Sequence, residues 1–211
     1  MRILIAVPTF ENITPDTFKS IYNLKTGDYD CDFDFVRGYD CATARNNIAQ
    51  KAISGGYDYV MMVDNDITLP EDALLNLLET PVDICLGYYG HRNAHNVCTG
   101  KSCVGRIYQP DGKKYFNYPE EALYTGDELT EFRNKGEYRV QIHGGGMGCA
   151  MINVNLFKLL TYPWFDWVNY ANKGVLSEDL FLCEKCKTSN IPIYVDTRVG
   201  CGHLFRRVQW I

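Results

Sequence analysis

The sequence predicts an α/β protein built on a mostly parallel sheet with helices on both faces. Three observations carry this. Short β-branched apolar runs alternate with helix-period segments over roughly the first ninety residues. The first run, "RILIAVP", is apolar throughout rather than at every second position, as in a strand covered on both sides. Capping and stop residues stand at the ends of the helical segments.

Each element has its own justification. "RILIAVP" reads as a first strand, and "TPDTFKSIYNL" as a helix with Thr14 as N-cap and Pro15 at N1. "FDFVRG" is a second strand. "ATARNNIAQKAISGG" places Ala44, Ile48, Ala49 and Ala52 at helical spacing before Gly55 and Gly56 stop it. "YDYVMMVD" is the third strand, followed by a helix with Pro70 at N1 and Leu74, Leu75, Leu77 and Leu78 along it, then "VDICLGYY" as the fourth strand. From about Lys101 the pattern changes: "VGRIYQPDGKKYFNY" has hairpin chemistry around Pro-Asp-Gly, so an antiparallel insertion is expected. Residues 119–136 read as a surface loop with one short helix. After "IHGGGMG" come a strand "CAMINV", a helix "NLFKLL", a helix "SEDLFLCEKCKTSN" and a strand "IPIYVD".

Composition narrows the function classes. The chain has 211 residues, 46 % hydrophobic and 22 % charged, enough for one sizeable core. A net charge of -5 argues against affinity resting on duplex phosphates, although Arg206 and Arg207 leave room for a local basic site. Nine cysteines, an odd number with no leader-like segment, predict a reducing, cytoplasmic setting rather than a disulfide framework. The opening apolar run is too short for a membrane span and no later run reaches about 18 residues, so no membrane partner is expected.

Four groups of residues are candidates for chemistry. Asp64 and Asp66 fall where the third strand ends, and ligands of open α/β sheets bind at the carboxyl ends of strands. With a period of two, both carboxylates can face the same way and share a hard divalent cation, with Asn65 pointing opposite. The same pair also fits a strand running into a turn and a helix cap. Glu178 and Asp179 open a helix after Ser177, where acidic residues suit the helix dipole; equally, one carboxylate there can accept a proton from an incoming hydroxyl. His203, flanked by glycines, has the chemistry of a Mn²⁺ or zinc ligand. The run from His143 to Gly148 suggests close backbone approach to a substrate. Cys183, Cys186, Cys201 and His203 form a competing set with structural-zinc ligand types, against which stand a Cys-x2-Cys pair inside a helix and a core large enough to fold without metal.

Taken in order, these segments resemble the GT-A fold glycosyltransferases, in particular family 2 and its small bacterial and phage relatives. "AVPTFEN" looks like the family's opening strand end, and "ATARNNIAQKAISGGYDYVMMVDNDITLP" like its segment leading into the D-x-D motif. "GGGMGCAMINVNLFKLLTYPWF" resembles the acceptor-side segment, and "SEDLFLCEKCKTSNIPIYVDTRVGCGHL" the segment from the E-D motif to a C-terminal histidine. The resemblance implies an α/β/α sandwich with a mixed, mostly parallel central sheet, in a single domain over 1–211. Residues 1–100 would form the nucleotide-sugar half, 101–143 an insertion, and 144–211 the acceptor and catalytic half.

For the site, the resemblance implies Asp64, Asp66 and His203 around Mn²⁺ or Mg²⁺, with Asp64 also toward the nucleotide. Asp179 would be the catalytic base, with Glu178 beside it. Pro8, Thr9, Phe10, Arg45 and Asn65 would lie near the nucleotide, and Gly145, Gly146 and Met147 along the donor-sugar and acceptor cleft. The implied activity is single, inverting transfer of a hexosyl or N-acetylhexosaminyl group from a UDP- or GDP-sugar to a hydroxyl of a saccharide, protein or modified nucleic acid. Where many members carry an acidic stretch that reads the base, this chain has "FDFVRGYD", so the base stays open, and the Q-x-x-R-W motif of processive synthases is missing. A nucleotidyltransferase of similar architecture, or a non-catalytic sugar- or nucleotide-binding protein, are the other classes compatible with these residues.

Overall fold

A computed structural model describes residues 1–92, 98–106, 122–169 and 174–204. The elements run β1 (Arg2–Thr9), α1 (Pro15–Tyr22), β2 (Asp30–Arg37), α2 (Cys41–Ser54), β3 (Tyr59–Val63), β4 (Ile67–Thr68), α3 (Ala73–Leu78), β5 (Ile84–Tyr88), β6 (Gly90–Arg92) and β7 (Cys98–Gly105). They continue with β8 (Leu123–Thr125), α4 (Gly126–Asn134), β9 (Arg139–Ile142), β10 (Gly144–Gly145), β11 (Cys149–Asn153), α5 (Val154–Leu159), β12 (Val168–Asn169), β13 (Val175–Leu176), α6 (Glu178–Thr188), β14 (Ile193–Gly200) and β15 (Gly202–His203).

Seven strands form the main sheet in the order β2-β1-β3-β11-β5-β14-β9. The pairs β2–β1, β1–β3 and β5–β14 are parallel, while β11 is antiparallel to both neighbours and β9 to β14, so five of the seven strands share one direction. β1 and β3 are buried almost end to end, as their unbroken apolar runs require; β2, the edge, alternates between exposed and half-buried. The path β1-α1-β2 leaves β1 on one side and β2-α2-β3 returns on the other, so right-handed connections put α1 and α2 on opposite faces. α2 packs on β1, β2, β3 and α5, and the chain after α1 is tied to the start of the α3 segment by Lys25 N–H donating to the Glu71 carbonyl.

Local chemistry explains the helix starts. Thr14 caps α1, accepting from Thr17 N–H, with Pro15 in the first turn; Asp40 caps α2 in the same way through Thr43 N–H. The third helix begins at Ala73 rather than at the predicted Pro70, because Pro70 to Asp72 form a turn closed by Ala73 N–H on the Pro70 carbonyl. The polar stretch after 119 yields α4, held by a capping box between Thr125 and Glu128.

A smaller sheet joins β10, β7 and β6, with β8 also paired to β7. It contains the antiparallel part of the expected insertion, but β9 returns to the edge of the main sheet and β10, beyond residue 143, pairs with β7. The expected Pro-Asp-Gly turn, the Arg206–Arg207 pair and part of "GHRNAHN" lie outside the described residues. Among the described residues no helix is long and apolar enough to cross a membrane.

Candidate active site

The order β2-β1-β3 makes the junction of β1 and β3 a point where the chain leaves in opposite directions, the place at the strands' carboxyl ends where the ligand crevice of open α/β sheets lies. Pro8 and Thr9 end β1, both buried, and Phe10 projects beyond them at 69 % exposure. Opposite them β3 closes at Val63, one residue before the end of the expected strand "YDYVMMVD". Asp64 to Ile67 then form a turn, with Ile67 N–H donating to the Asp64 carbonyl at 3.1 Å. The two aspartates therefore sit on a turn rather than at alternate positions of a strand. Asn65 is an anchor: its Nδ2 donates to the Asn12 carbonyl at 2.8 Å and to Thr9 Oγ1 at 3.2 Å.

The turn sends its carboxylates to different partners. Asp64 reaches Arg45 of α2, whose Nη2 donates to Oδ1 at 2.9 Å. The same guanidinium lies 3.5 Å from Glu178 Oε1 through Nε and 3.6 Å from Asp179 Oδ1 through Nη2, and Nη1 donates to the Met147 carbonyl at 3.2 Å. Arg45 is 1 % exposed. Burial works against its charge, but the carboxylates around it, Asp64 foremost, outweigh that and hold its pKa well above the ordinary value. Asp64 is itself raised by burial, against the pull of Arg45.

Asp179 is a strongly perturbed carboxyl. Burial first, and Glu178 beside it, push it up to about 7, with Arg45 opposing. Its Oδ2 accepts from Met147 N–H at 3.3 Å, whereas its buried Oδ1 accepts no hydrogen bond within the described structure. Ser177 makes no side-chain cap, and Glu178 and Asp179, in the first turn of α6, face Arg45.

Asp66 turns the other way. His203 Nε2 is 3.5 Å from Asp66 Oδ2, while Nδ1 lies 2.8 Å from the Gly90 carbonyl. A carbonyl only accepts, so Nδ1 carries a proton and Nε2 is the atom presented toward Asp66. The backbone fixes the pair: β15 pairs with β4, His203 opposite Ile67, and Leu204 N–H donates to the Asp66 carbonyl at 2.9 Å.

Tyr89, which the sequence marked only as strand, joins the two halves. Its buried hydroxyl accepts from Gly148 N–H at 3.1 Å, and its ring meets His203 edge-on with centroids 5.1 Å apart. A Cβ on Gly148 would stand 2.8 Å from Tyr89 Oη and 2.9 Å from Asp64 Oδ2, so the close approach at this glycine is between parts of the protein itself. Gly145 and the Met147 side chain are buried, and Gly146 is half-buried. Asn46, next to Arg45, is a second residue the sequence did not single out. Its Oδ1 accepts from Trp164 N–H and Phe165 N–H, and its Nδ2 donates to the Phe165 carbonyl, pinning the "PWF" segment to α2.

Among the described residues no three His, Cys, Asp or Glu side chains converge into a cation cage. The zinc set does not assemble either: Cys183 donates to the Gly145 carbonyl, Cys186 is buried in α6, and Cys201 contacts Cys149. The donor set beside the crevice nonetheless suits a hard or borderline divalent cation. It offers one carboxylate and one imidazole nitrogen, with the other ring nitrogen already anchored on a carbonyl.

The fold is that of the GT-A glycosyltransferases. The chain is similar to GalNAc-T7, solved with UDP, GalNAc and Mn²⁺, at a TM-score of 0.62 and 11 % identity, over 99 % of this chain and 45 % of that one. It is similar to A197 from STIV at a TM-score of 0.61 and 15 % identity, over 98 % of this chain and 87 % of that one. The chain thus spans less than half of the GalNAc-T7 chain. No protein-family model and no curated protein matches the sequence.

Proposed function

We propose that this chain is a metal-dependent, inverting glycosyltransferase that moves one sugar from a nucleoside diphosphate sugar to a hydroxyl acceptor. The observation that carries the reading is the Asp179 carboxyl. It lies across Arg45 from Asp64, is half-buried, keeps Oδ1 without a hydrogen bond among the described residues although Arg45 Nη2 stands 3.6 Å from it, and is pushed up to about 7, where a general base operates best at neutral pH. The Asp179 carboxylate takes the proton of the acceptor hydroxyl. The acceptor oxygen bonds to the anomeric carbon from the face opposite the diphosphate, and the bond from that carbon to the leaving diphosphate oxygen breaks.

Asp66 and His203 would hold Mn²⁺ or Mg²⁺, which when bound offsets charge on the diphosphate. Asp64 would lie toward the ribose, held by Arg45. Pro8, Thr9 and Phe10, with the turn that Asn65 anchors, would border the nucleotide; Gly145, Gly146 and Met147 would back the sugar and acceptor cleft. The donor is a UDP- or GDP-sugar in this reading, and the GalNAc-T7 complex with UDP, GalNAc and Mn²⁺ supports that class.

Thermal unfolding with a panel of nucleoside diphosphates, with and without Mn²⁺, tests the reading. At a ligand concentration about 100 times Kd, Tm is expected to rise by about 5–10 °C, only with metal, and to lose that rise in Asp66→Ala. No metal-dependent shift from any nucleoside diphosphate, or an unchanged shift in Asp66→Ala, would overturn it. Release of sugar from a nucleotide-sugar panel separates an enzyme from a non-catalytic binder.

A further inference from the structure

We propose that Arg45 is the positioning residue of this site, its one buried guanidinium fixing the donor-side Asp64 and the base Asp179 at a set spacing so that they act as one unit. This rests on the transfer reading above. At 1 % exposure Arg45 has no surface with which to bind a nucleotide. All of its polar contacts are internal: Asp64, Glu178, Asp179 and the Met147 carbonyl. These partners come from three separate segments, the turn after β3, the glycine run and the start of α6. A buried cation that merely filled space would need one good partner; three carboxylates around one guanidinium outnumber it.

The planar fork of arginine is what makes the sharing possible. Nη2 serves both Asp64 and Asp179, Nε faces Glu178 and Nη1 holds the loop, a geometry that the single nitrogen of lysine cannot reproduce. The platform is rigid, since α2 is capped by Asp40 and its next residue, Asn46, is fastened to Trp164 and Phe165.

A double-mutant cycle tests the sharing without any substrate. At pH 8, Asp64→Asn and Asp179→Asn are each compared in the wild type and in Arg45→Gln by thermal unfolding. If the guanidinium balances both carboxylates, each substitution raises Tm by about 2–4 °C more in Arg45→Gln than in the wild type. Equal shifts in the two backgrounds overturn the proposal. Should Arg45→Gln not fold, recovery of folding in the double variants is the same result; without recovery, the cycle is read in Arg45→Lys, with the same criterion.

The kinetic arm uses nucleotide-sugar hydrolysis. Arg45→Lys is expected to lower kcat about 100-fold with a much smaller rise in donor KM, because the alignment of the base is lost while the donor is touched only indirectly, through Asp64. A raised KM at unchanged kcat would make Arg45 a donor-binding residue and overturn the positioning role. If the wild type shows no metal-dependent nucleoside diphosphate shift, the transfer reading fails, while the cycle still reports whether Arg45 couples the two carboxylates.

Discussion

Asp179 titrates near neutral pH, and the sign of its effect on stability follows. An ordinary aspartate loses its proton near pH 4, whereas this one holds it to about 7 because burial disfavours its charge. Between those values the folded chain binds more protons than the unfolded one, so this group's contribution to stability falls as pH rises from about 4 to 7 and is level above that. Asp179→Asn should therefore lose less stability between pH 4 and 8 than the wild type in urea titrations. It should also lose transfer, whose rate in the wild type is expected to climb through about pH 7. At Tyr89 the expectation is mechanical. Tyr89→Phe strands the buried Gly148 N–H, at a cost of about 1–3 kcal/mol, read as a fall in denaturation midpoint at unchanged slope. The carboxylates stand out in the sequence by type and order, and the structure gathers Asp64, Glu178 and Asp179 around Arg45. The roles of Tyr89 and Asn46 and the burial of Arg45 did not stand out, since their partners are brought to them by the fold from other elements.

Among the elements, α4 shows a signal that the sequence contained and polarity hid. Thr125 and Glu128 have capping-box spacing, and Arg106 of the preceding segment meets the same glutamate. That hydrogen bond with Arg106, and then the Thr125 backbone, hold the Glu128 carboxyl down to about 2. Because the folded pKa is depressed, the stability it contributes is present above the ordinary glutamate value and is lost as pH falls from about 4.5 to 2. Glu128→Gln should flatten that acid limb, measured by thermal unfolding across pH 2 to 5. The turn that ends β3 was misread for a related reason. An apolar run fixes that a strand exists, but its last residue is decided by hydrogen bonds from elsewhere, here Asp64 N–H on the Gly148 carbonyl.

For the whole molecule, strand–helix alternation revealed the layers, but not the strand order. β11 is buried along nearly its whole length, and that pattern reads the same whether it runs with or against its neighbours; its antiparallel place between β3 and β5 is a tertiary outcome. The far edge of the sheet depends on Asp196, fully buried, which takes Arg198 from its own strand and Arg139 from β9. Asp196→Ala leaves two guanidiniums without their shared carboxylate, and a loss of about 3–5 kcal/mol is expected, lowering Tm by roughly 6 °C or more. Metal-dependent nucleotide stabilisation should survive it, because the change lies at the edge of the sheet away from the crevice.

The two-residue ladder between β4 and β15 has a bearing on how the molecule can be observed. It works as a clasp, joining the aspartate turn to the last described strand of the chain, and the Leu204 amide is sealed by the Asp66 carbonyl. A cation gripped by Asp66 and His203 would tighten that clasp from both sides. Hydrogen exchange at Leu204, slow with Mn²⁺ and faster after chelation, would then serve as a built-in gauge of the ion, readable before any sugar or acceptor is known.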